Sequence, residues 1–150
     1  MAEHRATIEW EGEGGFLENR YSRAHVWRFD GGAVVPGSSS PQVVPVPMSD
    51  PAAVDPEEAL VASASSCHML WFLHLARDAG FQVTGYRDEA FGRMAKDERG
   101  RMAMTRIVLR PRIAFANAAP DAAELERLHH EAHEKCFIAN SLRSEIVVEA

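Results

Sequence analysis

The stretch that most constrains this chain is Asp55 to Gly80, DPEEALVASASSCHMLWFLHLARDAG. It predicts one long helix. Asp55 is an N-cap whose carboxylate accepts from a free backbone N–H of the first turn, and Pro56 suits the first helical position, where its missing N–H costs nothing. Glu58 completes a capping-box spacing with Asp55, and Glu57 adds negative charge at the positive end of the helix dipole. Gly80 is a natural stop. At ~1.5 Å per residue such a helix is on the order of 35 Å long, about the width of a small domain. Leu60, Val61, Ala64, Leu70, Trp71, Leu73 and Leu75 spread apolar groups nearly all round it, which predicts cover on most sides. Its middle carries Cys67, one of 2 cysteines in the chain.

The rest of the chain falls into strands and one further helix. Residues 5–11 alternate and predict a strand, Gly12 to Gly15 a turn, and residues 17–29 a second strand with Tyr21, Arg23, His25, Trp27 and Phe29 on one face. Residues 33–54 carry Pro36, Pro41, Pro45, Pro47 and Pro51 and predict an extended connector, either a mobile flap or an arm on a second subunit. After the long helix, residues 82–95 and 101–116 predict a long hairpin, with Pro111 marking an edge or bulge. Asp121 and Glu124 open a second helix by another capping-box spacing, running to about Phe137, and residues 145–149 predict a last strand. Strands and helices in separate runs give a single α+β domain, residues 1–150, with antiparallel sheets wrapped around the long helix. One sheet covers one flank of that helix, which leaves the other for a second subunit.

Composition narrows the class of function. The chain has 150 residues, enough to bury a core, and a net charge of −6 with no basic run, which argues against nucleic acid as a partner. No signal-like apolar region opens it, and no apolar run approaches the ~20 residues of a membrane span. A cytoplasmic protein without membrane association is the expectation. Two cysteines in a reducing compartment are then buried spectators, metal ligands or redox-active thiols rather than a static staple. Cys67 is mid-helix and draws nothing from a helix N-terminus, so a reactive thiolate there needs a cation from elsewhere, and arginine is the obvious supplier. His129, His133 and Cys136 fall on one helical face; with Cys67 they make a loose zinc pattern, against which stands a plain solvated face shared with Glu126, Glu131 and Glu134. His68 and His74 read as partly buried residues satisfied by hydrogen bonds. There is no phosphate-cradling loop, no nucleophile elbow and no HExxH.

Asp55-Pro56-Glu57-Glu58, Ala62 to Ser66 and Cys67-His68-Met69 together resemble the central-helix motif of the OsmC/Ohr family of thiol peroxidases, which act on organic hydroperoxides. That pattern is a Pro-Glu pair opening the helix and a cysteine ten residues after the glutamate, matched by Glu57 and Cys67. A second cysteine near the end of a later helix is matched by Cys136, although Phe137 stands where many members have proline. The family's N-terminal arginine is best matched by Arg23, with Arg20 second. The resemblance spans nearly the whole chain and implies an OsmC-like fold in an interleaved homodimer. It further implies a catalytic set of Cys67, Cys136, Arg23 and Glu57, in which Cys67 forms a sulfenic acid and then a disulfide with Cys136. No metal or organic cofactor is required; the partners are a hydroperoxide and a dithiol reductant such as a lipoyl group. Met69, Trp71, Phe72, Phe137 and Ile138 would line an apolar pocket. The alternative is a non-catalytic metal- or ligand-binding protein using Cys67, Cys136 and His133. Glu57 serves a thiol either in its own chain, through a break at Ala62 to Ser66, or in a second subunit.

Overall fold

The computed structural model describes residues 1–150. In chain order the elements are β1 (Ala6–Glu9), β2 (His25–Phe29), β3 (Val34–Gly37), α1 (Pro56–Asp78), β4 (Gln82–Asp88), β5 (Phe91–Lys96), β6 (Met102–Leu109), β7 (Pro111–Ala116), α2 (Ala122–Lys135), α3 (Phe137–Ser141) and β8 (Glu145–Val148). This is the mixed α/β class with antiparallel sheets and a long helix that the sequence predicts. The chain forms two compact units, Met1–Ala59 and Leu60–Ala150.

In the first unit β1, β2 and β3 form an antiparallel sheet in that order. The second predicted strand is shortened to His25–Phe29, because residues 16–19 turn instead and bring Phe16 and Tyr21 against Trp10. Gly37 is forced: a Cβ there would lie 2.3 Å from Trp27 Nε1. The proline-rich segment is tied down rather than a free flap. Ser38 N–H donates to Val54 O at 3.0 Å, Val54 N–H to Pro36 O at 2.9 Å, and Asp50 N–H to Ser38 Oγ at 2.9 Å. Burial in this unit is confined to Gly37, Ser38 and Ser49.

The second unit is built on α1. Its capping box closes as the sequence predicts, with Glu58 N–H donating to Asp55 Oδ1 at 2.8 Å and Asp55 N–H to Glu58 Oε1 at 2.9 Å. At the other end Gly80 has φ +87°, and Phe81 N–H returns to Ala76 O at 2.9 Å, a Schellman closure. The predicted all-round cover is corrected. Only Ala64, His68, Phe72 and Ala76, a strict i,i+4 stripe, are buried, whereas Leu70 is 60% exposed. Along that stripe Ala64 packs with Ile107 and Leu109, and Phe72 and Ala76 pack with Leu128 and Ala132. By length and mean hydropathy alone (1.3 over its most apolar part) α1 would also suit a membrane span, but this stripe is covered by protein.

The long hairpin exists but breaks in two. β4 pairs with β7 and β5 with β6, both antiparallel and in separate sheets. The cause is local to Asp88. Its Oδ1 accepts Arg110 N–H at 2.6 Å, Arg110 Nε donates to Glu89 O at 3.0 Å, and Ser65 of α1 donates to its Oδ2. Pro111, which has no N–H to give, begins β7. β8 joins β6 in parallel, a pairing the sequence order did not suggest; β7, α2 and α3 form the crossover that parallel strands need. Asp121 caps α2 as predicted, accepting Glu124 N–H at 2.8 Å. The helix, however, ends at Lys135 rather than Phe137.

Phe72→Ala is expected to lower the unfolding free energy by about 3–5 kcal/mol in urea denaturation, since Phe72 is fully buried. Gly80→Ala, which would force a Cβ into the left-handed region at φ +87°, should cost roughly 1 kcal/mol.

Candidate active site

Cys67 lies one residue before His68 on α1 and is half-buried, flanking the buried stripe. Trp71 sits one turn further on the same side, and Phe137 meets it edge-on with ring centroids 5.5 Å apart. Cys136 immediately precedes Phe137, so this aromatic contact helps bring the second cysteine to the first. The Cys67 thiol is near enough to Cys136 to help raise it, and both thiols are free.

Cys136 is not on a helical face. It has φ −67° and ψ 113°, extended backbone that ends α2 and caps α3, its Sγ accepting Ala139 N–H at 3.4 Å. This overturns the shared face of His129, His133 and Cys136 predicted from a continuous helix. No three His, Cys, Asp or Glu side chains converge to hold a metal ion, so Cys67, Cys136 and His133 do not form the zinc set of the alternative reading. Burial, first of all, pushes the Cys136 thiol up, with the neighbouring Cys67 adding to it and the Ala139 N–H opposing it. Cys136 is therefore held as a protonated thiol.

Arg23 and Glu57 belong to the first unit. Arg23 is half-buried, lies over the Tyr21 ring at 3.6 Å, and donates to Tyr21 O and Asn19 Oδ1, each at 2.7 Å. Trp27 Nε1 donates to His25 Nε2 at 2.9 Å, which leaves His25 Nδ1–H to donate to Arg23 O at 2.7 Å. His25 and Trp27 thus fix the backbone at Arg23, a role the alternating pattern placed on one face but did not reveal. Arg20 is exposed, and its side chain makes no hydrogen bond. Glu57 Oε2 is buried without a hydrogen-bond partner. α1 is continuous from Pro56 to Asp78, so the break at Ala62 to Ser66 that would fold Glu57 back does not occur.

The expected apolar pocket does not assemble as a whole. Phe72 is core, stacked 4.5 Å from His129, and Ile138 packs with Ile107 and Leu109, whereas Phe137 is 67% exposed. His129, predicted on a solvated face, is buried. Its Nδ1 is 3.0 Å from His68 Nε2, and the rings are nearly parallel at 8°. His74 is exposed beside Asp78 at 3.3 Å, and His130 beside Glu134 at 3.0 Å. Sequence reasoning missed the His68–His129 pair because its members are 61 residues apart.

Comparison with protein families matches residues 49–150 to the OsmC-like protein family. Among solved structures, an OsmC-like protein of unknown function from Vibrio cholerae is 49% identical, with 99% of each chain covered and a TM-score of 0.97. An organic hydroperoxide resistance protein from Elizabethkingia anophelis is 17% identical over 99% of this chain and 96% of its own, with a TM-score of 0.71. The organic hydroperoxide resistance protein OhrB of Bacillus subtilis is 19% identical over 97% of this chain and 95% of its own, with a TM-score of 0.64. At those two identities the likeness is one of fold. Comparison with curated proteins gives no match.

The histidine pair gives the site a pH signature. Burial first, then the other imidazoles of the cluster, lowers His68 from its ordinary 6.5 to about 4. Burial lowers His129 to about 4 as well, against an opposing pull from Asp88. An unfolded chain titrates these rings near their ordinary value and so binds more protons between the two limits. Stability from the pair is therefore complete above about pH 6.5 and lost as pH falls toward about 4. The urea midpoint should drop across that window, and His129→Gln should make the drop shallower. An unchanged slope in that variant would sink the assignment.

Proposed function

The chain belongs to the OsmC family, and on that premise we propose that it is a thiol-dependent peroxidase that reduces organic hydroperoxides. The observation that carries this reading is the pairing of two free thiols in unequal surroundings, Cys67 half-buried and Cys136 buried with its thiol pushed up. Such a pair suits a division of labour in which one thiol meets the oxidant and the other waits.

In this proposal the Cys67 thiolate attacks the terminal oxygen of the hydroperoxide. The O–O bond breaks, the alkoxide takes a proton and leaves as the alcohol, and Cys67 becomes a sulfenic acid. Cys136 gives up its proton, attacks that sulfur and expels water, forming the disulfide. A dithiol reductant, for which we propose a lipoyl group, returns both thiols and becomes a cyclic disulfide itself. No metal or organic cofactor enters. A cytoplasmic setting would keep the resting thiols reduced.

Arg23 supplies the charge that favours the Cys67 thiolate, and Glu57 orients it as a positioning residue. With α1 unbroken, the proposed arrangement is a homodimer in which Arg23 and Glu57 serve the thiol of a second copy. The unpartnered Glu57 oxygen and the exposed Leu70 face of α1 support that reading.

Cumene hydroperoxide should be consumed faster than hydrogen peroxide with dihydrolipoamide as reductant, and thioredoxin should serve poorly. Cys67→Ser should abolish turnover, while Cys136→Ser should still form one sulfenic acid, trapped with dimedone and weighed by mass spectrometry. A Cys67→Ser chain that keeps the oxidisable thiol would reverse the two roles.

Chains carrying Glu57→Ala, mixed and refolded with chains carrying Cys67→Ser, should regain one working site per heterodimer. If verified heterodimers stay as inactive as either parent, the glutamate does not act across subunits.

A further inference from the structure

Three arginines meet on the surface of the second unit where the long hairpin splits. Arg87 of β4, Arg110 between β6 and β7, and Arg112 of β7 line one small cavity of about 90 Å3 together with Glu89. All four side chains are exposed, so a ligand from solution can reach them. The register brings two of them together: Arg87 and Arg112 are direct partners across the β4–β7 pair, where like charges oppose each other. Glu89 gathers the third. Its Oε1 accepts from Arg87 Nε at 3.1 Å and Nη2 at 2.7 Å, and its backbone O accepts from Arg110 Nε at 3.0 Å. The hydrogen bond from Arg87 first, and then the charges of all three arginines, hold the Glu89 carboxyl below the usual carboxylate range.

The charge of the lining selects the ligand. One carboxylate faces three guanidiniums, which leaves two positive charges without a counter-ion. Glu89 is engaged by Arg87, whereas Arg112 makes no ion pair and Arg110 keeps both Nη groups free. The hairpin's other arginine pair, Arg93 opposite Arg106, is answered by Glu145 of β8, 4.0 Å from Arg106. No third strand flanks β4 or β7 to do the same for Arg112. Arg110 is also held in advance, since its guanidinium lies 5.0 Å from the Phe91 ring centroid while Nε is bonded to Glu89 O; a donor already in place costs less to order on binding. Guanidinium forks pair with oxyanions, and two unbalanced charges match a dianion. The cavity is smaller than the ~300–1,000 Å3 of whole small-molecule sites, so it takes an anionic end group alone. A phosphate ester end group carries about −2 charge and three acceptor oxygens. A single-stranded nucleic acid would need a free aromatic face on which to stack its bases, and Phe91 already carries Arg93 at 5.4 Å as well as Arg110.

We propose that this cavity binds a phosphate dianion, either inorganic phosphate or the end group of a small organic phosphomonoester, its oxygens accepting from Arg110 and Arg112 while Glu89 stays paired with Arg87. Neither cysteine borders the cavity, so the site is separate from the thiol pair and goes beyond the peroxidase reading.

Calorimetric titration of the full chain at pH 8 and low salt, with ethyl phosphate and with inorganic phosphate, tests it. At that pH a phosphate monoester is a dianion, since its second proton leaves near pH ~6. At least one of the two should bind once per chain, and the tighter of them names the source. Diethyl phosphate, a monoanion of similar shape, should bind at least about tenfold more weakly. Arg112→Gln, at an exposed side chain that makes no ion pair, should weaken the tighter ligand about tenfold, and its thermal melt would show that the chain is folded. Arg77→Gln removes the same charge from α1, outside the cavity, and should leave the affinity unchanged. Absence of binding by both phosphates overturns the proposal, and so does equal binding of diethyl phosphate. Unchanged affinity in Arg112→Gln, or an equal loss in Arg77→Gln, places the ligand elsewhere or makes the effect one of net charge, and overturns it too. Phosphatidic acid vesicles that bind the chain while neither soluble phosphate does would make this face a membrane contact instead.

Discussion

The second unit depends on a polar joint in an otherwise apolar stripe. Ala64, His68, Phe72 and Ala76 are the only buried residues of α1. Ala64 packs into one apolar cluster and Phe72 with Ala76 into another, and His68 stands between them. Its hydrogen bond to His129 satisfies one polar edge of each ring where no water reaches, and Phe72 covers the His129 face. A buried polar contact of this kind is directional, whereas apolar packing is not. It fixes α2 against α1 in one register. Phe137 on Trp71 does the same one turn from Cys67. Two contacts, His68 with His129 before the α2 terminus and Trp71 with Phe137 after it, bring Cys136 to the side of α1 that carries Cys67.

What could be read in the sequence was what a few neighbouring residues decide. The Asp55–Glu58 and Asp121–Glu124 caps and the Gly80 stop all formed, since each is a local hydrogen-bond arrangement. What failed depended on distant partners. Nothing near Glu89 announces that the hairpin splits there, because the split rests on Asp88 accepting the N–H of Arg110, 22 residues away. The parallel β6–β8 pair needs a whole crossover to exist. The end of α2 at Lys135 was invisible, because Cys136 is an acceptable helix residue until the contact of Phe137 with Trp71 favours a new helix. Apolar residues all round α1 predicted all-round burial, yet composition does not say which chain supplies the cover.

That last point bears on the first unit as well. A three-stranded sheet whose burial is confined to Gly37, Ser38 and Ser49 has almost no core of its own, and small sheets need a packed face to be stable. Trp10, Phe16 and Leu17 are large and exposed there. Clustered exposed apolar residues usually mark an interaction surface. The homodimer proposed above would answer both problems with one contact, giving the β1–β3 unit a face to pack on and the Leu70 side of α1 a cover.

The proposed division of the two thiols would follow from where each sits rather than from what each is. Cys136 is buried at a helix junction, and burial disfavours its charged form, although the Ala139 N–H offers its sulfur one hydrogen bond. Such a thiol reacts slowly with an outside oxidant, because the thiolate is the nucleophile and the group is out of reach. It is well placed for an intramolecular attack, where proximity replaces intrinsic reactivity. Cys67 is half-exposed beside it and is the one that an oxidant can reach. Phe137 in the place of the family's frequent proline fits this arrangement. Proline would also suit the first position of α3, where a missing N–H costs nothing, but it has no aromatic ring to meet Trp71. The aromatic residue therefore does by packing what a proline would do by restricting the backbone: it ends α2 at Lys135 and holds the second thiol against the first.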